Sequence, residues 1–374
     1  MSNMILCKNC VNPSTRPNGF FNQDGICGVC ELKQLDSKGM IDWVKRAKEL
    51  TKITNWGRDN SKNSYDCIVT VSGGKDSMRQ AFFVRDDLGL NPLLVSATYP
   101  PEQMSERGAK NLSNLVEHGF DCISIGLNPK ISKQLTKYCL YEYNNLFNAT
   151  EQALYAIPIY VAISQKIPLV FLGENPAHTI GEKQGTLDSD ASQMRNANTL
   201  MGGSAEKFLK TGVSKQDLHF YNYPSEEDVD AAKLKLVYLG YFIEDWSGRN
   251  NAKFAAEKGI ENREDPPEDI GDLWGIGALD EDFRIVNQHL KYLKFGFGHV
   301  TDQVMESIHS GLMTREEGLK LVRDFDGKCH PKYVEKLCTY LKISKEEFWI
   351  IAEKTRNKDI WKKNQQNEWV LDFK

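Results

Sequence analysis

Short apolar runs and longer runs with helical spacing follow one another along the middle of the chain. Residues 67–71 are small or β-branched apolar residues without alternation, which is typical of a strand buried on both faces. A polar turn at residues 72–77 follows, and then Met78, Ala81 and Phe82 recur near helical spacing. The pattern predicts a strand, a glycine turn and a helix.

The same alternation continues downstream. Residues 92–98, 122–126, 167–172 and 238–243 are further apolar runs, and helical patterns lie between most of them. This order predicts an α/β fold, a doubly wound parallel sheet that binds ligands at the carboxyl ends of its strands. Glu174 follows one predicted strand, so it is a candidate for contacts with Mg²⁺, ribose or substrate; an ordinary turn before Pro176 explains it equally well.

The remaining sequence suggests four segments. We expect a metal ribbon over residues 1–40, a helix and polar linker over 41–64, the α/β domain over 65–260, and a mostly helical region over 261–374. That last region opens with an acidic stretch that looks like a linker, and capping boxes at Thr314 and Ser344 predict two of its helices. The polar, glycine-rich residues 181–212 are a candidate substrate lid.

Composition excludes several classes of protein. The 374 residues include 47 basic and 51 acidic side chains, and the net charge of −4 gives no sign of a nucleic-acid partner. No apolar run approaches the roughly 18 residues that cross a bilayer, and no apolar signal segment opens the chain, so we expect a soluble cytoplasmic protein. Its nine cysteines are then expected to be metal ligands and core thiols rather than disulfides.

Four of these cysteines have the spacing of a metal site. Two C-x2-C pairs, Cys7 with Cys10 and Cys27 with Cys30, are separated by sixteen residues. This is the spacing of a zinc ribbon, in which four thiolates close a tetrahedral shell and leave no position open for chemistry. We expect structural Zn²⁺; an iron–sulfur cluster is the minor alternative because the ligand set alone does not select the metal.

The turn after the first strand carries the clearest chemistry. Its glycines allow a tight turn, and the unpaired N–H groups at the start of the following helix favour an anion. The spacing is not that of a Walker P-loop. It resembles the SGGxDS signature of PP-loop ATP pyrophosphatases, which split ATP into AMP and pyrophosphate. The resemblance implies that ATP is bound by Ser72, Gly73, Gly74, Lys75, Asp76 and Ser77; Glu174 is a further ATP-binding candidate because of its position after a later strand.

A second glycine-containing stretch, KFGFG, lies near residue 296. Its glycines would let backbone approach a ligand, and the flanking cations suit a phosphate or carboxylate. The candidate substrate-binding residues are Lys294, Gly296, Gly298 and His299. A glycine hinge between two helices, with the phenylalanines in the core, explains the pattern equally well.

The four-cysteine ribbon, SGGKDS and KFGFG together resemble the N-acetyl sugar amidotransferases of lipopolysaccharide biosynthesis and flagellin glycosylation. The resemblance implies that an acetamido group on a nucleotide-linked sugar or nonulosonic acid becomes acetamidino, with ATP and Mg²⁺ as cofactors. Lys75 and Asp76 would then be catalytic. It also implies separate glutaminase and cyclase-like subunits that supply ammonia. His299 stands where we expect arginine, which leaves the sugar open.

A rival function is tRNA thiolation, since such enzymes also combine cysteine pairs with SGGxDS. It requires reactive cysteines at the crevice and usually a basic RNA-binding face. Outside the ribbon, Cys122 and Cys139 are scattered through the α/β region, and the net charge is −4. A non-enzymatic adaptor that only senses ATP is a third alternative, distinguished by ATP binding without AMP formation.

Overall fold

A computed structural model describes residues 4–37, 39–179, 187–196, 200 and 202–371. Its centre is a parallel sheet in the order β3-β2-β1-β4-β5. The strands of this sheet and of a C-terminal antiparallel hairpin are β1 Cys67–Thr70, β2 Pro92–Thr98, β3 Cys122–Gly126, β4 Leu169–Leu172, β5 Lys235–Tyr238, β6 Trp361–Lys363 and β7 Trp369–Leu371. The predicted α/β class with a doubly wound parallel sheet is confirmed.

The helices connect these strands and form the C-terminal region. They are α1 Gly28–Ser37, α2 Trp43–Asn60, α3 Lys75–Phe82, α4 Glu106–Glu117, α5 Pro129–Tyr143, α6 Asn148–Gln165, α7 Pro176–Thr179, α8 Glu226–Ala231, α9 Gly248–Glu257, α10 Pro267–Ile270, α11 Phe283–Phe295, α12 His299–His309, α13 Arg315–Phe325, α14 Pro331–Leu341 and α15 Lys345–Lys354.

Strand order fixes where a ligand crevice opens. From β1 the chain moves to β2 on one side and later to β4 on the other, so the direction of winding reverses between β1 and β4. Crevices of doubly wound sheets open at such a reversal, outside the carboxyl ends of the strands. The turn at 72–77 follows β1 and Glu174 follows β4, so both lie at this edge.

Two apolar cores cover the faces of the sheet. One combines Ile68 and Val170 with buried residues of α5 and α6. The other combines Val69 and Phe171 with α3 and with part of α2. Alternate residues of the same strands thus enter opposite cores, which explains why these strands are apolar throughout.

The N-terminal ribbon packs against the C-terminal helices. Its four cysteines, Val11 and Val29 share one buried cluster with Val300, Val304, Met305 and Val322. Met4 and Leu6 form another cluster with Ile360 and Trp361 at the terminal hairpin. The two ends of the sequence therefore stabilise each other.

Several predicted elements differ from the structure. Residues 238–243 are not a strand: β5 ends at Tyr238 because its partner β4 ends at Leu172, and a 3-10 turn, Leu239–Phe242, follows. The supposed acidic linker is anchored, because the buried Arg263 donates to the carbonyls of Gly277 and Ala278. The helices predicted after Thr314 and Ser344 are confirmed as α13 and α15.

Part of the candidate lid, residues 181–186, 197–199 and 201, lies outside the described residues. Within the described part, Ala205 and Phe208 are buried in the core of one sheet face, and residues 187–196 and 202–212 do not line the crevice. Across the part of the chain that the structure describes, no helix has both the length and the apolar character needed to span a bilayer.

Candidate active site

The glycine turn packs against α4 in a conformation that only glycine adopts readily. Gly73 has φ +86°, and a Cβ there would lie 2.9 Å from the backbone N of Leu112. Gly74 caps α3 with an extended φ of −83° and has open space around it except for Ser72 Oγ at 3.4 Å. The first glycine therefore sets the turn, while the second leaves room beside the helix N-terminus.

Hydroxyl groups hold the turn closed. Ser77 Oγ accepts a hydrogen bond of 2.8 Å from the backbone N–H of Ser72, and the two hydroxyls are 3.4 Å apart. These contacts tie the start of the turn to the first turn of α3. The free N–H groups of that helix end are thereby directed outward, an arrangement that attracts anions.

Lys75 and Asp76 project from this turn into a crevice. Lys75 Nζ lies 2.7 Å from Asp76 Oδ2, and Asn251 of α9 donates to Asp76 Oδ1 at 2.8 Å. Burial alone would lower the pKa of Lys75, but Asp76, Glu174 and Glu306 together raise it above its usual value. The ammonium is therefore charged across the physiological range.

The crevice has a volume of about 460 Å³. The ribbon, α2, the ends of β4 and β5, α11 and α12 all contribute to its walls. Glu174 lines it, and burial raises the pKa of this carboxyl, with Asp76 adding to the shift. The structure thus places Glu174 in the same crevice as Lys75 and Asp76, and its binding of ATP stays a prediction.

Asp302 of α12 organises the opposite wall. Its carboxylate accepts from the Arg16 guanidinium of the ribbon and lies 3.4 Å from Lys291 Nζ on α11. Although burial opposes the shift, the two cations hold the pKa of Asp302 well below its usual range. Both cations also lie over the ring of Phe297, each 4.3 Å from its centroid. The buried phenylalanine of KFGFG thus supports a charged triad facing the crevice.

One face of α11 supplies the polar surface beside this triad. Arg284, Gln288 and Lys291 are spaced by four and three residues, lie on one face of the helix and line the crevice. Gln288 Oε1 is buried and has no hydrogen-bond partner among the described residues. An acceptor of this kind suits an N–H or O–H group of a ligand.

The structure brings only one of the four KFGFG candidates to the crevice. His299 lines it, 3.8 Å from Asp272, and burial lowers the pKa of its ring. Lys294 does not line the crevice and instead donates to the Tyr143 carbonyl of α5 at 3.2 Å. The substrate-binding role predicted for Lys294 therefore finds no support in its position.

The two glycines of KFGFG act as a hinge. Gly296 ends α11 with φ +75°, and a Cβ there would meet Met4, Ile360 and Leu371 at 2.8–2.9 Å. Gly298 lies against Asp326, which accepts from its N–H at 2.8 Å. The hinge alternative describes both, and neither glycine lines the crevice.

Comparisons with known proteins single out the helical region. Residues 279–373 match the family model described as "LPS biosynthesis protein WbpG-like, C-terminal domain". Because of this similarity, residues 279–373 are called the WbpG-like domain. This match confirms, for this region, the resemblance drawn from the motifs as far as lipopolysaccharide biosynthesis. No curated protein has a significant sequence match to the chain.

Two solved structures are similar at low identity. NMN synthetase from Francisella tularensis is 13% identical over 60% of this chain and 99% of its own, with a TM-score of 0.28. The U34-tRNA thiolase NcsA from Methanococcus maripaludis, solved with its 4Fe-4S cluster, is 16% identical over 68% of this chain and 80% of its own, with a TM-score of 0.26. Both TM-scores are below 0.5, so neither likeness extends to function.

The WbpG-like domain contributes α11 and α12 to the crevice. Several residues on these helices line the crevice although the sequence did not single them out as site residues. Arg284, Gln288 and Lys291 follow a helical spacing that could have been recognised once α11 was assigned. Asn251 of α9 and Arg16 of the ribbon carry no comparable signal. Their roles come from contacts with Asp76 and Asp302, far away in sequence.

Aromatic residues also line the crevice. The Arg46 guanidinium lies 3.6 Å from the ring centroid of Tyr241 and 4.8 Å from that of Trp43. Trp246 and Trp274 also line the crevice. Such surfaces suit stacking against a nucleotide base or a sugar face.

The four predicted metal ligands lie together beside the WbpG-like domain. Cys7 and Cys30 are 3.7 Å apart at sulfur, as are Cys10 and Cys27. All four sulfurs lie within 4.8 Å of one another. Tetrahedral thiolates at roughly 2.3 Å from a zinc ion would be about 3.8 Å apart, so the group fits a single ion. His309 Nε2 of α12 lies 3.1 Å from Cys30 Sγ and also lines the crevice.

Proposed function

We propose that the protein is an ATP-dependent amidotransferase that converts an acetamido group of a bacterial surface-glycan sugar to acetamidino. The acetamido oxygen attacks the α-phosphorus of ATP, and the bond from that phosphorus to the bridging oxygen breaks. Pyrophosphate leaves. Ammonia then adds to the activated carbon, its excess proton departs, and the C–O bond breaks to release AMP that carries the former acetamido oxygen.

Activation by ATP answers a chemical difficulty. An amide carbonyl is a poor electrophile and oxide is a poor leaving group, so ammonia cannot displace the oxygen directly. Adenylylation turns the oxygen into part of AMP, which leaves readily. The charged Lys75 ammonium at the helix N-terminus is suited to stabilise negative charge on the departing pyrophosphate.

Ser72, Ser77 and the amides of Gly73 and Gly74 are the proposed pyrophosphate cradle. The turn is closed by the Ser72–Ser77 contacts, and the open space at Gly74 lets phosphate oxygens approach the backbone. These four residues do not line the crevice itself, but they adjoin Lys75 and Asp76, which do.

Mg²⁺ would neutralise charge on the phosphates when bound. Asp76 is the proposed ligand on the protein, with Glu174 as the neighbouring carboxylate. Both Asp76 oxygens are already engaged, one by Lys75 and the other by Asn251. A cation at Asp76 would therefore take over the contact that Lys75 now makes and free that ammonium for the phosphates.

Ammonia is proposed to come from a separate glutaminase through a cyclase-like subunit, as the resemblance implies. The acceptor sugar would lie against α11 and α12, where Gln288 Oε1 can accept from its N–H or O–H groups. We propose that this chemistry takes place in the cytoplasm, without nucleic acid or membrane.

One observation carries this proposal: Lys75 and Asp76 open into the same crevice as α11 and α12 of the WbpG-like domain. The test incubates the protein with ATP, Mg²⁺, ammonium and a panel of acetamido sugars labelled with ¹⁸O in the acetamido group. The expected result is sugar-dependent AMP release, one ¹⁸O per AMP, and a sugar product that has exchanged oxygen for NH.

A variant pair sharpens the test. Asp76→Asn should abolish AMP release, whereas Asp217→Asn, which changes an exposed acid far from the crevice, should leave it unchanged. AMP without ¹⁸O would refute attack by the acetamido oxygen. AMP release that depends on unmodified tRNA and on no sugar would favour thiolation, and ATP binding without AMP would favour an adaptor.

A further inference from the structure

We infer that the four-cysteine ribbon is a working part of the active site, because its Arg16 positions Asp302 and Lys291 on the acceptor wall. Arg16 is then a positioning residue for acceptor binding. The inference rests on the proposed function for the identity of the acceptor. The structural coupling on which it depends can be measured without any substrate.

The Arg16 side chain extends from the ribbon into the wall of the crevice. Its side chain is only 5% exposed, and its Nε donates to Asn12 Oδ1 of the ribbon at 2.7 Å. Its Nη2 donates to Asp302, while the guanidinium plane lies 4.3 Å from the Phe297 centroid. One end of the group is thus fixed by the ribbon and the other by α12.

Asp302 in turn fixes the position of the Lys291 ammonium. The carboxylate binds Arg16 through Oδ1 and lies 3.4 Å from Lys291 Nζ through Oδ2. Without Arg16, the Asp302 carboxylate, whose side chain is 26% exposed, would keep Lys291 as its cationic partner and would be free to change rotamer. Since uncompensated buried charges are strongly unfavourable, the carboxylate and Lys291 would rearrange toward each other or toward water.

A second contact ties the metal site to the same helix. Asp302, Glu306 and His309 are spaced by four and three residues along one face of α12, and all three line the crevice. His309 Nε2 lies 3.1 Å from Cys30 Sγ at the ribbon end. The ribbon therefore contacts α12 at both ends of this face.

The middle of that face joins the ATP side. Glu306 accepts from the backbone N–H of Gly248 at 3.1 Å and of Arg249 at 2.8 Å, at the start of α9. Asn251 of α9 holds Asp76. Thus α12 contacts the ribbon directly and is linked to the catalytic turn through α9, so its placement depends on the ribbon.

The ribbon has no separate core that would let it dock loosely. Its buried valines and cysteines share one apolar cluster with α12 and α13. Arg315 of α13 also donates to the carbonyls of Cys7 and Cys10, at 3.0 and 2.9 Å. Removing the metal would disturb the same surfaces that hold Arg16 in place.

The test compares wild type with Arg16→Gln, with the conservative Arg16→Lys, and with Lys8→Gln, an exposed ribbon residue, as control. Bound metal, affinity for a non-hydrolysable ATP analogue, and hydrogen exchange over residues 299–309 are measured for each. Kinetics with the acceptor sugar then separate KM from kcat. Hydrogen exchange of wild type stripped by a chelator is measured in parallel, with 345–354 as internal reference.

Arg16→Gln is expected to retain its metal and its ATP-analogue affinity. Amide protection over 299–309 and the apparent affinity for the acceptor should each fall about tenfold, less than for a fully buried pair because the Asp302 side chain is 26% exposed and keeps Lys291 as a partner. Arg16→Lys should recover part of both losses, and Lys8→Gln should match wild type. Metal removal should lower protection over 299–309 while leaving 345–354 unchanged.

Unchanged exchange over 299–309 in both Arg16→Gln and the stripped protein would overturn the inference. It would equally be overturned if Arg16→Gln weakened ATP-analogue and acceptor binding by the same factor, since that pattern indicates general damage. Should no sugar support AMP release, the proposed function fails, but the exchange measurements still decide whether the ribbon positions α12.

Discussion

The two glycines of the SGGKDS turn give a matched pair of substitutions whose effects should separate folding from ligand binding. Gly73 has φ +86°, and an added Cβ would lie 2.9 Å from the Leu112 backbone N and 3.3 Å from its Cα. Gly74 has φ −83°, with only Ser72 Oγ near, at 3.4 Å. The same change to alanine therefore meets two different environments at two consecutive residues.

For Gly73→Ala the expected loss of stability follows from two terms. A non-glycine residue at positive φ costs about 1–2 kcal/mol, and forcing a methyl group against fixed backbone costs about 1–3 kcal/mol more. The sum, about 2–5 kcal/mol, corresponds to a fall in Tm of about 3–6 °C if the 374-residue chain unfolds as one unit. Gly74→Ala should change Tm by less than about 1 °C, since both the conformation and the space admit alanine.

For ATP binding, in contrast, the informative substitution is Gly74→Ala. If phosphate oxygens approach the backbone at the open side of Gly74, its methyl group occupies their place, and ATP affinity should fall at least about tenfold, or about 1.4 kcal/mol. Thermal melts and calorimetric titration with a non-hydrolysable ATP analogue measure the two effects. Wild-type affinity in Gly74→Ala would refute the phosphate cradle, and an unchanged Tm in Gly73→Ala would refute the packing argument.

Three further predictions test other parts of the structure. Lys294→Met should leave the acceptor KM unchanged and raise Tm, because burial lowers the pKa of this lysine to about 8 and so disfavours its charged form. Lys291→Met should raise the acceptor KM. A larger rise of KM in Lys294→Met than in Lys291→Met would show that Lys294 belongs to the acceptor site. Cys10→Ser should lose zinc, measured by atomic absorption, and lower Tm, while Cys338→Ser, a buried thiol outside the cluster, should keep its zinc. Burial raises the pKa of Glu281 from 4.5 to about 8, so its contribution to stability is complete below pH 4.5 and is lost as pH rises toward 8, by up to about 5 kcal/mol. Urea melts of Glu281→Gln should show a flatter dependence over that range, and an unchanged slope would contradict the assignment.

Patterns confined to neighbouring residues were predicted well from the sequence. The strand, turn and helix around residues 67–82 depend on apolar periodicity and on glycine, both of which act over a few positions. The capping residues Thr314 and Ser344 likewise act within a single helical turn. The end of a strand was predicted less well. At residues 238–243, β5 ends where its partner β4 ends, and β4 lies elsewhere in the chain.

The sequence by itself determined the α/β order of elements, the SGGKDS turn at a strand end, and the four cysteines of a candidate metal site. These follow from local periodicity, turn chemistry and ligand spacing. Only the tertiary structure decided that Lys291 rather than Lys294 faces the crevice, that Arg16 meets Asp302, and that Asn251 holds Asp76. Each of those results depends on how helices pack across long sequence separations, where burial and charge pairing act and where neighbouring residues give no signal.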